Sequence, residues 1–287
     1  MKLLIFGSTG LLGSHLTVFL KKKKKIVESI GRSDHCNYFA SFKNVKQISH
    51  AIEKSKADVI INLIAMTNVD ECESSPDKSY NVHVNIPKMI AQAINLTKNY
   101  KPHVIHISTD QIYSGKGPHS ESSPKPINTY SKTKLEGERA YNGINSTIIR
   151  TNFIGKSSIE NKLSFTDWLY EKLINKKNIT VFSDVFFNPL SMDSLCSVIN
   201  DVIDNKIFGT YNAGSGGSIS KADFAFLFAK TIGVSSSHAR IGMMSDIQLV
   251  AKRPSDMTMD CKNIEYKLGK KLPDILSEIK YVSKEYV

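Results

Sequence analysis

Cysteine is scarce and scattered in this chain. Cys36, Cys72, Cys196 and Cys261 include no CxxC pair, so neither a zinc site nor a disulfide framework is indicated. Reduced thiols in a cytosolic protein are the simplest expectation. Long apolar runs are missing as well. No stretch reaches the roughly 18 residues of a membrane helix, and the apolar run ahead of Gly7 in MKLLIFG is too short for the core of a signal peptide. A cytoplasmic location and no membrane partner are therefore expected. No internal repeat or low-complexity linker is visible, and the single tryptophan, Trp168, reads as a packing anchor.

Acidic residues are in deficit: 27 against 38 Lys and Arg leaves a net charge of +11. Such a balance favours anionic partners, among them nucleotides and phosphorylated sugars. The run Lys21 to Lys25 reads as a solvated helix end, because no aromatic platform or nucleic-acid motif accompanies it. No nucleic-acid partner is expected. With 287 residues, 41% hydrophobic and 23% charged, the chain is long enough for one large α/β domain, or a domain with a smaller lobe.

KLLIFG reads as a short buried strand closed by glycine, and LLGSHLTVFLKK as a helix with Leu12, Leu16 and Phe19 on one side. IVESIG, DVIINLIA, PHVIHIS and STIIRTNF are further strands, and a long helical pattern covers about 77–99, with Pro87 placed to kink or split it. This alternation implies a parallel sheet with helices on both faces. Beyond 151 the rhythm loosens. The expected division is a nucleotide-binding domain over 1–151, with 191–213 returning to it, and a smaller lobe from 152–190 and 214–287. The stripe Phe224, Phe226 and Phe228 reads as core or interface. His103 and His106 would face opposite sides of a strand, so a structural role is favoured and no metal site is expected.

GSTGLLG spaces Gly7, Gly10 and Gly13 as GxxGxxG, after a strand and opening a helix, which is the context a dinucleotide loop requires. Gly7 allows the tight turn, Gly10 lets backbone approach a pyrophosphate, and Gly13 lets helix pack on strand. The helix N-terminus offers free N–H groups to the phosphates. After the second strand, SIGRSDH places Arg32 and Ser33 where a 2′-phosphate would sit. This favours NADPH, with NADH the alternative.

IHISTDQIYSG ends a buried strand with Ser108, Thr109 and Asp110, at the strand end where ligands bind in open α/β sheets. Twenty-one residues after Thr109 comes Tyr130 in NTYSKTKLEGE, with Lys134 one helical turn later. A free tyrosine titrates near pKa ~10, and a lysine ammonium nearby would lower that value. The same lysine suits the ribose hydroxyls of the cofactor.

Together these motifs resemble the extended short-chain dehydrogenase/reductase superfamily, and within it the dTDP-4-dehydrorhamnose reductases, over nearly the whole chain. GSTGLLG matches the cofactor loop. DVIINLIAMTNVDECESSPDKSYNVHVN resembles the family's fourth strand and the stretch beyond it, HISTDQIYSG the Ser-Thr-Asp segment, and PINTYSKTKLEGE the Tyr-Lys segment. IIRTNFIG and KRPSDMTMD resemble two later segments.

The fold implied is α/β, a Rossmann-type doubly wound parallel sheet with a small C-terminal substrate-binding lobe. The catalytic residues implied are Thr109, which holds the sugar ketone, Tyr130, which donates the proton, and Lys134. Cofactor residues implied are Gly7, Thr9, Gly10, Leu11, Leu12 and Gly13, then Arg32, Ser33, Leu63, Ala65 and Ser108, with Tyr130 and Lys134. Thr67, Val69, Gln111, Asn152, Phe153 and Arg253 fall to the substrate; for Arg253 a substrate diphosphate and a surface salt bridge are both open. Gln111, Phe153 and DVFFNPL depart from the family pattern on that side.

The reaction implied is NADPH-dependent reduction of a nucleotide-diphospho-4-keto-6-deoxyhexose for surface polysaccharide synthesis, with a homodimer left open. The alternatives are a related sugar-nucleotide epimerase or dehydratase, and a non-catalytic partner like the regulatory β subunit of methionine adenosyltransferase. Gln111 after Asp110 counts against the dehydratase.

Overall fold

The structure, a computed structural model, describes residues 1–97, 100–160 and 162–287. The far end of the expected 77–99 helix, at Asn99, lies outside the described residues. In chain order the first half holds β1 (Lys2–Phe6), α1 (Leu11–Lys22), β2 (Ile26–Gly31), β3 (Tyr38–Phe39), α2 (Val45–Ser55), β4 (Val59–Asn62), α3 (Val69–Ser74), α4 (Pro76–Tyr80) and α5 (Ile86–Leu96). Next come β5 (His103–Thr109), α6 (Thr129–Glu138), β6 (Ser146–Thr151), β7 (Phe153–Ile154), α7 (Phe165–Ile174), β8 (Ile179–Phe182), β9 (Phe186–Phe187), β10 (Leu190–Ser191) and α8 (Met192–Asp204). The chain closes with β11 (Gly209–Ala213), β12 (Ile219–Ser220), α9 (Lys221–Thr231), β13 (Ala239–Gly242), α10 (Lys262–Leu268) and α11 (Ile275–Ser283).

Seven parallel strands form the central sheet in the order β11-β6-β5-β4-β1-β2-β3. The chain runs outward from β1 to β3, then crosses back to β4 on the other side of β1. This reversal leaves a crevice at the carboxyl ends of β1 and β4, the switch point where α/β sheets bind ligands. Strand side chains alternate between faces. Leu3, Ile5, Val59, Ile61, Ile105 and Ile107 share a core with α1 and α8. Leu4, Phe6, Ile60, Val104 and Ile148 share one with α2 and α5. Both faces are covered, which explains why these strands read as unbroken apolar runs. His103 meets Thr147 and the Phe208 ring, while His106 faces Asn62 and Tyr141.

A second core, built by α7, β8, α9 and α11, encloses Phe187, Phe224, Phe228 and Tyr286, with Phe226 packed at its edge. The boundary differs from the expected one. Met259, Cys261, Ile264 and Leu272 pack into the first core, so 259–272 sits against the sheet although sequence rhythm assigned it to the lobe. Its four apolar side chains have no periodicity that would betray which core they join. No helix among the described residues is long and apolar enough to cross a membrane.

The expected 77–99 helix is divided into α4, a π-helical turn over Asn81–Asn85, and α5. Pro87 in the first turn of α5 has no N–H to give to the carbonyl of His83. That carbonyl is where α6 packs closest: a Cβ on Gly137 would stand 1.9 Å from it. Gly137→Ala should therefore destabilise the protein by about 1–3 kcal/mol through overpacking, read as a lower urea midpoint. An unchanged midpoint would mean that the two helices can separate without loss.

Candidate active site

The turn from β1 into α1 is set by backbone crowding. Gly7 has φ +84°, in the left-handed region. A Cβ on Gly13 would stand 2.1 Å from the Gly7 carbonyl oxygen, so the helix start fits against the loop only with hydrogen there. Gly10 caps α1 without a side-chain hydrogen bond, and no acidic residue occupies the first turn. The helix end thus keeps free N–H groups and its partial positive charge for an anion.

These groups open into a crevice of about 850 Å³. Gly7, Thr9 and Gly10 form one wall, Arg32 and Ser33 a second, and Leu63 and Ala65 a third. The crevice also holds Ser41, Lys43 and Lys162, which sequence reasoning missed. Lys43 follows a two-residue strand without pattern, and Lys162 comes from the other lobe, donating to the Thr9 carbonyl at 3.1 Å. Volume, free helix N–H groups and basic residues fit a dinucleotide with its phosphates on α1. Of the expected cofactor residues, Leu11, Leu12, Gly13, Ser108, Tyr130 and Lys134 do not line the crevice. Leu12 is buried in the core, and Gly13 serves packing. The Leu11 carbonyl accepts from the Ser14 hydroxyl at 3.1 Å. Ser108 is drawn the other way: its hydroxyl donates to Glu138, which grips Arg150 at 2.7 Å.

Tyr130 and Lys134 lie on α6. Asn128 and Ser131 cap this helix reciprocally, the Asn128 side chain accepting from the Ser131 N–H at 2.8 Å and the Ser131 hydroxyl from the Asn128 N–H at 3.2 Å. Glu73 accepts the Thr129 N–H at 2.8 Å. The Tyr130 ring is 7% exposed and meets the His83 ring edge-on at 5.4 Å. Burial pushes its phenol up to about 12, against the pull of the Thr109 hydroxyl, while the Asp110 carboxylate adds to the rise. The sequence led us to expect the Lys134 ammonium to lower this pKa. In the structure that ammonium donates to the Ile107 carbonyl at 2.7 Å, and burial lowers its own pKa to about 8. Tyr130 is therefore protonated at neutral pH.

His83, on the π-helical turn, went unnoticed in the sequence. Its Nε2 accepts the Met66 N–H at 3.0 Å, so the ring proton sits on Nδ1, facing Thr133 at 2.9 Å and Ser79 at 3.3 Å. Burial, aided by the Lys134 charge, lowers its pKa to about 3. Only the wide turn could have flagged it, since π-turns cluster at functional sites.

Of the residues expected on the substrate side, Gln111, Asn152 and Arg253 line a second cavity of about 240 Å³ with Trp168, Phe182 and Lys221. Trp168 is thus a cavity wall as well as a packing residue. Asn152 donates to Asp110 at 2.7 Å. Arg253 is paired with Asp70 at 2.9 Å, the salt-bridge alternative. Val69 packs on Tyr130 with Cys72 and Ala251. Thr67 is exposed on the loop after β4. Phe153 is not a cavity wall: it pairs with Leu190 in a short ladder and packs on the first core.

A dinucleotide crevice at the switch point, with a buried Thr–Tyr–Lys group at the end of β5, defines the class as a Rossmann-fold member of the extended short-chain dehydrogenase/reductases. The sequence model of the family described as RmlD substrate binding domain matches residues 1–287, and the chain belongs to that family. Among its relatives is the dTDP-4-dehydrorhamnose reductase of Salmonella typhimurium, 29% identical over 79% of this chain and 77% of that one. The crystal structure of a dTDP-4-dehydrorhamnose reductase from Clostridium acetobutylicum superposes with a TM-score of 0.87 at 26% identity, covering 99% of both chains. The Bacillus anthracis enzyme in complex with NADP gives 0.88 at 22% identity, again over 99% of both.

The buried histidines give the site a measurable pH signature. Burial holds His83 near 3 and His103 near 4, and keeps His106 well below its ordinary value. In the unfolded chain each titrates near ~6.5. As pH falls through that value, the unfolded chain takes up protons that the folded chain refuses, so stability is full above it and lost below. Asp110, whose pKa burial raises, offsets part of this. Urea unfolding at pH 5.5 instead of 7 should show a stability lower by roughly 2–3 kcal/mol. Equal stabilities would mean that these rings are charged in the folded protein.

Proposed function

We propose that this protein is an NADPH-dependent reductase of a nucleotide-diphospho-4-keto-6-deoxyhexose, serving surface polysaccharide synthesis. One observation carries the reading: Tyr130, held protonated by burial beside the Thr109 hydroxyl, stands with Lys134 at the carboxyl end of β5, the strand next to β4 and the ligand crevice of the sheet. Reducing a ketone requires a donor that still has its proton as negative charge grows on the oxygen. A phenol near 12 meets that requirement at neutral pH, and the relatives' reductase activity fits it.

The roles come from position. Thr109 would hydrogen-bond the ketone oxygen, and Tyr130 would hand it a proton. Lys134 would keep positive charge beneath the phenol and reach the cofactor ribose. NADPH, bound in the crevice, would supply the hydride. Arg32 and Ser33, joined by Lys43, give a 2′-phosphate its counter-charge, which supports NADPH over NADH. By the same resemblance the working place would be the cytoplasm and the assembly a homodimer, a point that light scattering on the purified protein can decide.

The test is loss of NADPH absorbance with a panel of 4-keto-6-deoxy sugar nucleotides. Tyr130→Phe should lower kcat/KM by about 10²- to 10⁴-fold with the circular-dichroism spectrum unchanged. Wild-type turnover in that variant would remove Tyr130 from the chemistry. No turnover with any sugar would overturn the reductase reading and favour a regulatory partner.

A further inference from the structure

Lys221 opens α9 where the two cores meet. Its ammonium lies 4.1 Å from the centre of the Phe165 ring and 3.3 Å from that of Phe187. Among the described residues it makes no hydrogen bond and no ion pair. Lys221 is half-buried, and an ammonium that loses part of its water needs something to compensate its charge; two aromatic faces do so only in part. Burial lowers the pKa of this amine, and the Asp110 carboxylate raises it. Asp110 is itself engaged, accepting from Asn152 at 2.7 Å and from Thr109 at 3.3 Å.

Lys221 shares its cavity with Arg253. Arg253 already has its counter-charge in Asp70 and donates to the Ala251 carbonyl at 3.1 Å. Lys221 is thus the cation of this cavity without a counter-charge at ion-pair distance among the described residues. The walls around it, among them Trp168, Val181, Phe182 and Met257, are mostly apolar, which strengthens any charge pairing inside. Sugar hydroxyls cannot neutralise an ammonium, whereas a phosphate oxygen neutralises it and takes its hydrogen bonds.

We propose that Lys221 binds the diphosphate of the sugar nucleotide, its ammonium braced by the rings of Phe165 and Phe187 and directed into the cavity beside Asn152 and Gln111. The assignment rests on the sugar-nucleotide reading above. It gives Lys221 the diphosphate role that the sequence left open for Arg253 beside a salt bridge. Arg253 instead ties the loop at 251–253 to α3 through Asp70.

The test separates binding from turnover. dTDP-glucose, UDP-glucose and GDP-mannose share a diesterified diphosphate, differ in base and lack the ketone. Calorimetry should show at least one of them binding the wild type. Lys221→Met should weaken the binder by roughly ten- to a hundredfold, the range of one lost charge-assisted hydrogen bond, and Lys221→Arg should restore most of it. Unchanged affinity in Lys221→Met, or no binding of any of the three to wild type, overturns the proposal.

A second measurement needs no variant. Acetylation of wild-type protein with a water-soluble ester, mapped by mass spectrometry, should label Lys221 less when the binder is present. Equal labelling with and without ligand overturns the assignment even if the variants fail to fold. Lys221-dependent binding of these ligands, with no NADPH oxidation on the panel of 4-keto-6-deoxy sugar nucleotides, would leave the proposal standing and sink the reductase reading. Turnover with KM unchanged in Lys221→Met would do the reverse.

Discussion

The hydrogen bond from the Lys134 ammonium to the Ile107 carbonyl is the constraint on which the site depends. A charge in the interior needs an acceptor, or it drags water in with it. Here a strand in the middle of the sheet supplies one, late in β5, and so pins the helix that carries the lysine. One turn towards the N-terminus, Tyr130 is delivered next to Thr109. One turn on, Glu138 meets Ser108 and Arg150. The buried side of α6 is therefore polar: Tyr130, Ser131, Thr133, Lys134 and Glu138 are all out of water. Ser131, Thr133, Lys134 and Glu138 each have a hydrogen-bond partner, as burial at this density demands.

The same burial that holds the helix sets its chemistry. Excluding water raises the phenol and the Asp110 carboxyl and lowers the lysine and His83, each by disfavouring its charged form. Around the reacting position this favours neutral donors, with Lys134 the positive charge beneath them. That arrangement suits an alkoxide that appears only as the reaction proceeds, because the environment answers the new charge without having to reorganise. The neutral His83 contributes by accepting from Met66 and facing Thr133, which ties the loop after β4 to α6.

This polar interior also decided how much of the molecule was legible in the sequence. The strands β1, β4 and β5 were readable because they are apolar on both faces, and the glycine loop because Gly7 and Gly13 answer local backbone demands. Tyr130, Lys134 and Thr109 were singled out by chemistry and by resemblance. Hydrophobic patterning would have left α6 on the surface, since its buried side is polar. Ser108 and Phe153 were misplaced for a simpler reason: one residue along a strand reverses the face. Ser108 points to Glu138, and Phe153 points to the core instead of the cavity. Lys162 and Lys221 could not be read at all, because each reaches its site from an element distant in sequence, and Lys43 because the short strand before it has no pattern.

Asp110 joins the two halves of the molecule. It comes directly after Thr109 and accepts from that hydroxyl on one oxygen, while its other oxygen holds Asn152, at the junction of β6 and β7. The charge of Lys221, at the start of α9, acts on it from the second lobe. The Thr109 hydroxyl and the cavity that holds Asn152 and Lys221 are thus linked through one buried carboxylate. An anion arriving beside Lys221 would draw that lysine's charge away from Asp110 and leave the carboxyl easier to protonate. A protonated Asp110 would lift less on the Tyr130 phenol, because its charge is one of the causes of the rise. The charge state of Asp110 and the occupancy of the cavity beside Lys221 are therefore coupled.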